Sequence, residues 1–153
     1  MTSATTHCLV LLVGPDGLLL ARKRTGFGAG RLVAPGGKVE PGETPLAAAV
    51  RELHEETRLV VAPEDLQDAG RLIFRLGTPA RTMDVDLFRA NRWAGEPVAT
   101  DELDSPAFHP LDDLPWAQMW VDNPHWLPEV IAGGRVELTI SYDEAAETII
   151  AIQ

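Results

Sequence analysis

The segment from Gly37 to Leu59, GKVEPGETPLAAAVRELHEETRL, restricts the possible folds of this chain more than any other. Glu43 comes six residues after Gly37; Arg51 and Glu52 follow, then Glu55 and Glu56. Thr44-Pro45 is a strong helix start, a hydroxyl N-cap followed by proline at the first helical position. It predicts a helix running to about Arg58. At about 100° per residue, Leu46, Val50, Leu53 and Thr57 fall in one stripe that packs on the core. Glu52, Glu55 and Glu56 gather on a different face, turned away from that stripe. Carboxylates crowded onto one helical turn repel each other unless a hard cation lies between them. Mg²⁺ prefers such oxygen ligands and commonly shares them with substrate phosphates. A bare E-x-x-E-E reads as a solvated acidic face. The longer pattern, G-x5-E-x7-R-E-L-x-E-E placed directly after a glycine loop, points instead to a metal site acting on a negatively charged substrate.

The rest of the chain reads as α/β. Cys8–Val13 and Leu18–Ala21 flank Gly14-Pro15-Asp16-Gly17 and predict a hairpin. Residues 23–43 carry too much glycine and proline for regular structure and read as a long shaped loop. Leu72–Leu76 is a strand candidate. Met83, Val85 and Leu87 alternate with Asp84 and Asp86, as a half-buried strand requires. Residues 106–128 are proline-rich and predict short irregular or helical pieces, with Trp126–Ala132 helical. Val136, Leu138, Ile140 and Tyr142 alternate again, and Thr148–Ile152 closes the sheet. With 153 residues, 45% of them hydrophobic, the expectation is one domain over 1–153.

Charge narrows the partners. The chain has 13 basic and 23 acidic residues and a net charge of −10, which disfavours broad nucleic-acid binding. No acidic residue lies between Asp16 and Glu40, yet Arg22, Lys23, Arg24, Arg31 and Lys38 do. Such an island attracts a polyphosphate, and Lys23 and Lys38 are the candidates for phosphate contact. The single Cys8 sits in an apolar run and reads as a reduced core thiol. Leu9–Val13 is too short for a membrane span and lacks the basic lead-in of a signal peptide. The expectation is a cytoplasmic monomer that binds neither membrane nor nucleic acid.

The helix pattern resembles the Nudix hydrolase signature, G-x5-E-x7-R-E-U-x-E-E-x-G-U with U aliphatic, matched at Gly37, Glu43, Arg51, Glu52, Leu53, Glu55, Glu56 and Leu59. Arg58 stands where the family has glycine. A side chain in that left-handed cap costs roughly 1–2 kcal/mol, a matter for the cap and not the metal site. The resemblance implies a Nudix fold, a mixed β-sheet sandwiched between helices. It implies Mg²⁺, with Mn²⁺ as the alternative, held by Glu52, Glu55, Glu56 and the Gly36 carbonyl. Glu52, Glu55 and Glu56 are then the catalytic candidates, Glu52 the favoured base, and Glu43 with Arg51 a buried orienting pair.

Further matches at 23–31, Met83-Asp84-Val85, Asp101-Glu102 and 119–126 resemble the MutT-like branch of that family, in its vertebrate type. That branch acts on oxidised purine nucleoside triphosphates. By this resemblance Phe27, Met83 and Trp120 line a base pocket, Asp122 and Asn123 face the base edge, and Glu102 completes the metal shell. Cys8 and Gly37 join Lys23 and Lys38 at the substrate. Two positions depart from the branch. Val33 replaces a purine-reading asparagine, and Asn123 replaces the second of two pocket aspartates. Valine offers neither donor nor acceptor; an unpaired buried base atom costs roughly 1–3 kcal/mol, about one to two decades of affinity.

The implied reaction is hydrolysis of a nucleoside triphosphate, such as 8-oxo-dGTP or 2-oxo-dATP, to the monophosphate and pyrophosphate, a sanitation of the nucleotide pool. Val33 and Asn123 keep open a Nudix enzyme for unoxidised or alkylated nucleotides or another organic pyrophosphate. A silent nucleotide-binding module is disfavoured by the full set of carboxylates. RNA 5′ ends are disfavoured by the net charge.

Overall fold

In the computed structural model, residues 3–77 and 80–153 are described. The hairpin forms as its turn signal requires: β1 (Ser3–Gly14) and β2 (Gly17–Lys23) run antiparallel, with Val13 opposite Leu18. Residues 23–43 depart from the expected continuous loop, since β3 (Leu32–Val33) pairs with β2 and β4 (Gly36–Lys38) pairs with β1. Both pieces are too short to leave a period in the sequence, and neighbouring strands hold them. Helix α1 spans Pro45–Thr57, capped by the Thr44 hydroxyl, which accepts the Ala47 N–H at 3.1 Å. Arg58 ends it at φ 69°, in the left-handed conformation that the cap demands, with its N–H on the His54 carbonyl.

Next come β5 (Gln67–Leu76), β6 (Arg81–Ala90) and β7 (Leu103–His109). The last was expected to be irregular from residue 106 onward. Pro106 and a left-handed Ser105 (φ 51°) disguise it, and β7 tolerates them because it lies off the main strand path, paired with β2. Helix α2 (Leu127–Ile131), β8 (Val136–Tyr142) and β9 (Ile149–Ile152) finish the chain close to the expected bounds.

Among the described residues the strands join into one mixed sheet in the order β3-β2-β1-β6-β5-β8-β9, parallel at β1/β6 and β5/β8. Side chains alternate across it. Cys8, Val10 and Leu12 of β1 pack under α1 with Ala48, Ala49 and Leu53. Leu11 of β1, with Val85 and Leu87 of β6, turns to the opposite face and meets Leu127 and Val130 of α2. The sheet is therefore sandwiched, and β1 is buried on both faces.

One expectation about α1 needs correction. Its buried face comprises Ala48, Ala49, Leu53, Thr57 and also Glu56, while Leu46 and Val50 are only partly buried. Glu56 lies three residues beyond Leu53, only about 60° from it around the helix. It borders the core stripe, and β4 covers it.

Candidate metal and nucleotide site

Glu52 and Glu56 project from α1, and Glu102 from the loop just before β7. One carboxylate oxygen of each lies within 4.8 Å of the others. Two backbone features admit this clustering. Glu56 accepts the Gly36 N–H of β4 at 3.0 Å. A Cβ at Gly37 would come within 2.6 Å of the Glu52 carboxyl carbon, so only glycine leaves Glu52 its place. Thr100, absent from the sequence reading, ties Glu102 to the helix. Its hydroxyl donates to the Glu56 carbonyl at 2.9 Å and accepts the Glu102 N–H at 3.4 Å. Only the local spacing to Glu102 could have flagged it.

Arg51 organises the outer side. It forks onto Glu43 at 2.8 and 2.9 Å and donates to Glu52 at 2.9 Å, to Glu55 at 3.2 Å and to the Lys38 carbonyl at 3.1 Å. Arg51 and Glu43 form an ion pair that is partly exposed, where a buried pair is expected from the sequence. The Arg51 bonds hold the Glu43 carboxyl down at about 2. Glu55 differs from its two helix neighbours: it is exposed and turned to Arg51, outside the three-carboxylate cluster.

Burial pushes the Glu56 carboxyl up to about 9, and the nearby charges of Glu52 and Glu102 add to the rise against the pull of the Gly36 bond. Burial raises Glu52 as well. Like charges this close are what a hard divalent cation would relieve. The donor set is all carboxylate oxygen and suits such an ion.

Beside the cluster opens a cavity of about 210 Å³ on the α2 face of the sheet. Gly36, Gly37 and Glu56 form its boundary with the carboxylates. Cys8, Lys23, Phe27, Val33, Met83, Trp120, Asp122 and Asn123, all sequence candidates, line it. Cys8 borders the cavity although its side chain packs on the α1 face, where burial pushes the thiol up to about 11 and leaves it unreactive. Phe27 stacks on Trp120 with ring centroids 5.0 Å apart, and the Arg31 guanidinium lies over the Trp120 ring, 4.2 Å from its centroid. Gly28 gives Trp120 room, for a Cβ there would lie 2.7 Å from the indole.

The basic island divides by role. Arg22 and Arg24 staple the loop, Arg22 to the Gly30 carbonyl and Gln118, Arg24 to the Thr100 carbonyl and Asp104. Lys23 faces the cavity, and Lys38 sits exposed on β4 opposite His7. Burial lowers the His7 pKa, and the charges of Lys38, Lys23 and Arg81 lower it further, so three cations are near enough to act on a residue that lines the pocket. Arg81 was not anticipated; it stands outside the loop that drew attention to the others.

A mixed sheet sandwiched by helices, with clustered helix carboxylates beside a glycine strand, defines a Nudix hydrolase. The NUDIX domain family matches residues 4–130, and the chain belongs to that family. It is 43% identical over 127 residues to the oxidized purine nucleoside triphosphate hydrolase of Danio rerio, covering 83% of this chain and 80% of that protein. It is 38% identical over 128 residues to the Mus musculus protein of the same name, covering 84% and 80%. In fold it is similar to a mutator MutT protein of Bacillus halodurans, with a TM-score of 0.82, 21% identity and coverage of 97% and 96%. Nudix hydrolases generally need a divalent metal, and the acidic cluster offers one a place. No helix among the described residues is long and apolar enough to cross a membrane.

Proposed function

We propose that this protein hydrolyses oxidised purine nucleoside triphosphates to the nucleoside monophosphate and pyrophosphate. The observation that carries the reading is one continuous surface: the carboxylates of Glu52, Glu56 and Glu102 meet a base-sized aromatic cavity at Gly36–Gly37, with cations gathered beside it. The names of the Danio rerio and Mus musculus relatives support the substrate class.

In this reading Glu52, Glu56, Glu102 and the Gly36 carbonyl would hold the metal, with Glu55 as a further ligand once it turns from Arg51. Mg²⁺ bound there would supply positive charge opposite the phosphate oxygens and make nearby water more acidic. Lys23 and Lys38 bind the phosphate chain as mobile point charges. Phe27, Met83 and Trp120 hold the purine, and Asp122 and Asn123 read its edge. Cys8, Val33 and Gly37 shape the wall between base and phosphates. Glu52 takes the water's proton, its carboxyl held in place by Arg51 beside the other two carboxylates and raised from its ordinary value by burial. The water oxygen bonds to the α or β phosphorus as the P–O bond bridging the two opens, and the departing bridging oxygen carries the electron pair away, giving the monophosphate and pyrophosphate in either case. Arg51 and Glu43 keep Glu52 oriented. The whole chain, 1–153, acts as one domain, a monomer working on free nucleotides in the cytoplasm. Its charge of −10 disfavours longer polyanions.

Val33 favours a second reading, a Nudix pyrophosphohydrolase for unoxidised or alkylated nucleotides, because it gives the cavity an apolar wall where the MutT-like branch has an amide. Pyrophosphate release from 8-oxo-dGTP, 2-oxo-dATP, dGTP and sugar nucleotides separates the two. The oxidised-purine reading predicts kcat/KM at least about tenfold higher for an oxidised purine than for dGTP, the worth of one buried hydrogen bond. Parity sinks it in favour of the second.

A further inference from the structure

The closed end of the cavity is built around Asp122, and one of its partners lies outside every motif read from the sequence. Asp122 is only 3% exposed. Trp126 Nε1–H donates to its Oδ2 at 2.8 Å, Asn123 Nδ2 donates to the same oxygen at 3.1 Å, and the Tyr142 hydroxyl meets Oδ1. An indole N–H and an amide NH₂ can only donate. Burial, with the adjacent Asp122 charge, pushes the Tyr142 phenol above its ordinary value, so it keeps its proton and donates as well. A carboxylate has about four acceptor positions. Three are filled, and the remaining one is on Oδ1. Asn123 is oriented by the same network: one amide hydrogen is bound to Asp122, leaving its carbonyl and second N–H for a ligand.

We propose that Tyr142 is a specificity-determining residue: by holding Asp122 as an acceptor, it selects purines with a 6-oxo, N1–H edge over those with a 6-amino, N1-acceptor edge. The proposal rests on the nucleotide reading above and deepens it. A 6-oxopurine presents an oxygen acceptor beside an N–H donor, which matches an Asn123 N–H and the free Oδ1 position. A 6-aminopurine turns its N1 lone pair towards Oδ1, acceptor against acceptor. Tyr142 acts through Asp122 and is a positioning residue. Its ring packs against two cavity walls, 6.3 Å from Phe74 and 6.2 Å from Trp120 between centroids. Tyr142→Phe therefore removes the hydroxyl and keeps the packing.

The test compares steady-state kinetics of the wild type and Tyr142→Phe on 8-oxo-dGTP and 8-oxo-dATP, which differ at the edge in question and in the guanine 2-amino group, so the reading is the change that the variant makes in their ratio. The wild type should favour 8-oxo-dGTP by at least about tenfold in kcat/KM, and the variant should shrink that ratio about fivefold or more. The change should fall in KM, with kcat on 8-oxo-dGTP little altered, because the hydroxyl touches none of the clustered carboxylates. A merely structural tyrosine would lower Tm and scale both substrates equally; an unchanged ratio overturns the proposal. Should Tyr142→Phe fail to fold, calorimetric binding of 8-oxo-dGMP and 8-oxo-dAMP to the wild type decides, with the 6-oxo compound tighter and parity overturning. Hydrolysis of both triphosphates at a ratio the variant leaves unchanged defeats this inference alone. Hydrolysis of neither defeats the nucleotide reading and this inference with it.

Discussion

Glu56 reaches from α1 to accept the Gly36 N–H at 3.0 Å, so a buried carboxyl is fixed against the strand that borders the cavity. The bond settles where the carboxyl sits but does not offset the burial and like charge that raise it to about 9.

Replacing Glu56 with Gln keeps a carbonyl for the Gly36 N–H and removes the charge. Turnover should fall by about 10³-fold, the scale of losing a preorganised charged group in an active site. Without metal, the ionised form of a carboxyl with a raised pKa destabilises the fold. That penalty is absent below the ordinary value of 4.5 and grows as pH climbs towards about 9. Thermal melts in chelator should therefore show wild-type Tm falling from pH 5 to pH 9 more steeply than that of the Gln variant.

The same protonation opposes a cation. Ligand carboxyls must be deprotonated to bind, so Mg²⁺ affinity should rise between pH 6.5 and pH 8.5, with protons released. Calorimetry in buffers of different ionisation enthalpy reads both effects. Pre-treatment with chelator should abolish activity, and Mg²⁺ should restore it.

In the proposed function Trp120 and Phe27 hold the base by stacking and burial. Trp120→Ala should raise KM by about 100-fold, since truncating a base-stacking aromatic costs roughly 1–3 kcal/mol. Phe27, 43% exposed, should cost less. Val33→Asn tests the opposite direction. An amide added to the cavity wall should lower KM for 8-oxo-dGTP by about tenfold. Michaelis constants for the three variants measure this.

Arg58 carries a side chain at φ 69° to end α1. Arg58→Gly should raise stability by up to about 1 kcal/mol, the relief of left-handed strain less the added freedom of the unfolded glycine. Equilibrium unfolding in urea should show a higher midpoint and unchanged activity.

The helix, its caps and the identity of its carboxylates were legible in the sequence because they depend on neighbours a few residues apart. The hairpin was legible for the same reason, through Gly14-Pro15-Asp16-Gly17. Strand β7 was not, because Pro106 and Ser105 break the local pattern while pairing with distant Leu18–Lys23 restores it. The division of labour among Glu52, Glu55 and Glu56 also escaped the sequence. An angular count places all three on one face, but β4 and Arg51 decide which is covered and which is exposed. Tyr142 showed only as an alternating strand residue; its meeting with Asp122, 20 positions away, exists only once β8 lies beside β5.

The central claim is tested most directly by identifying the products of 8-oxo-dGTP hydrolysis with and without Mg²⁺, for wild type and Glu56→Gln. The account predicts 8-oxo-dGMP and pyrophosphate in equal amounts from the wild type with Mg²⁺, and almost none without the metal or from the variant. Release of inorganic phosphate with 8-oxo-dGDP, or full turnover by Glu56→Gln at saturating Mg²⁺, would contradict it.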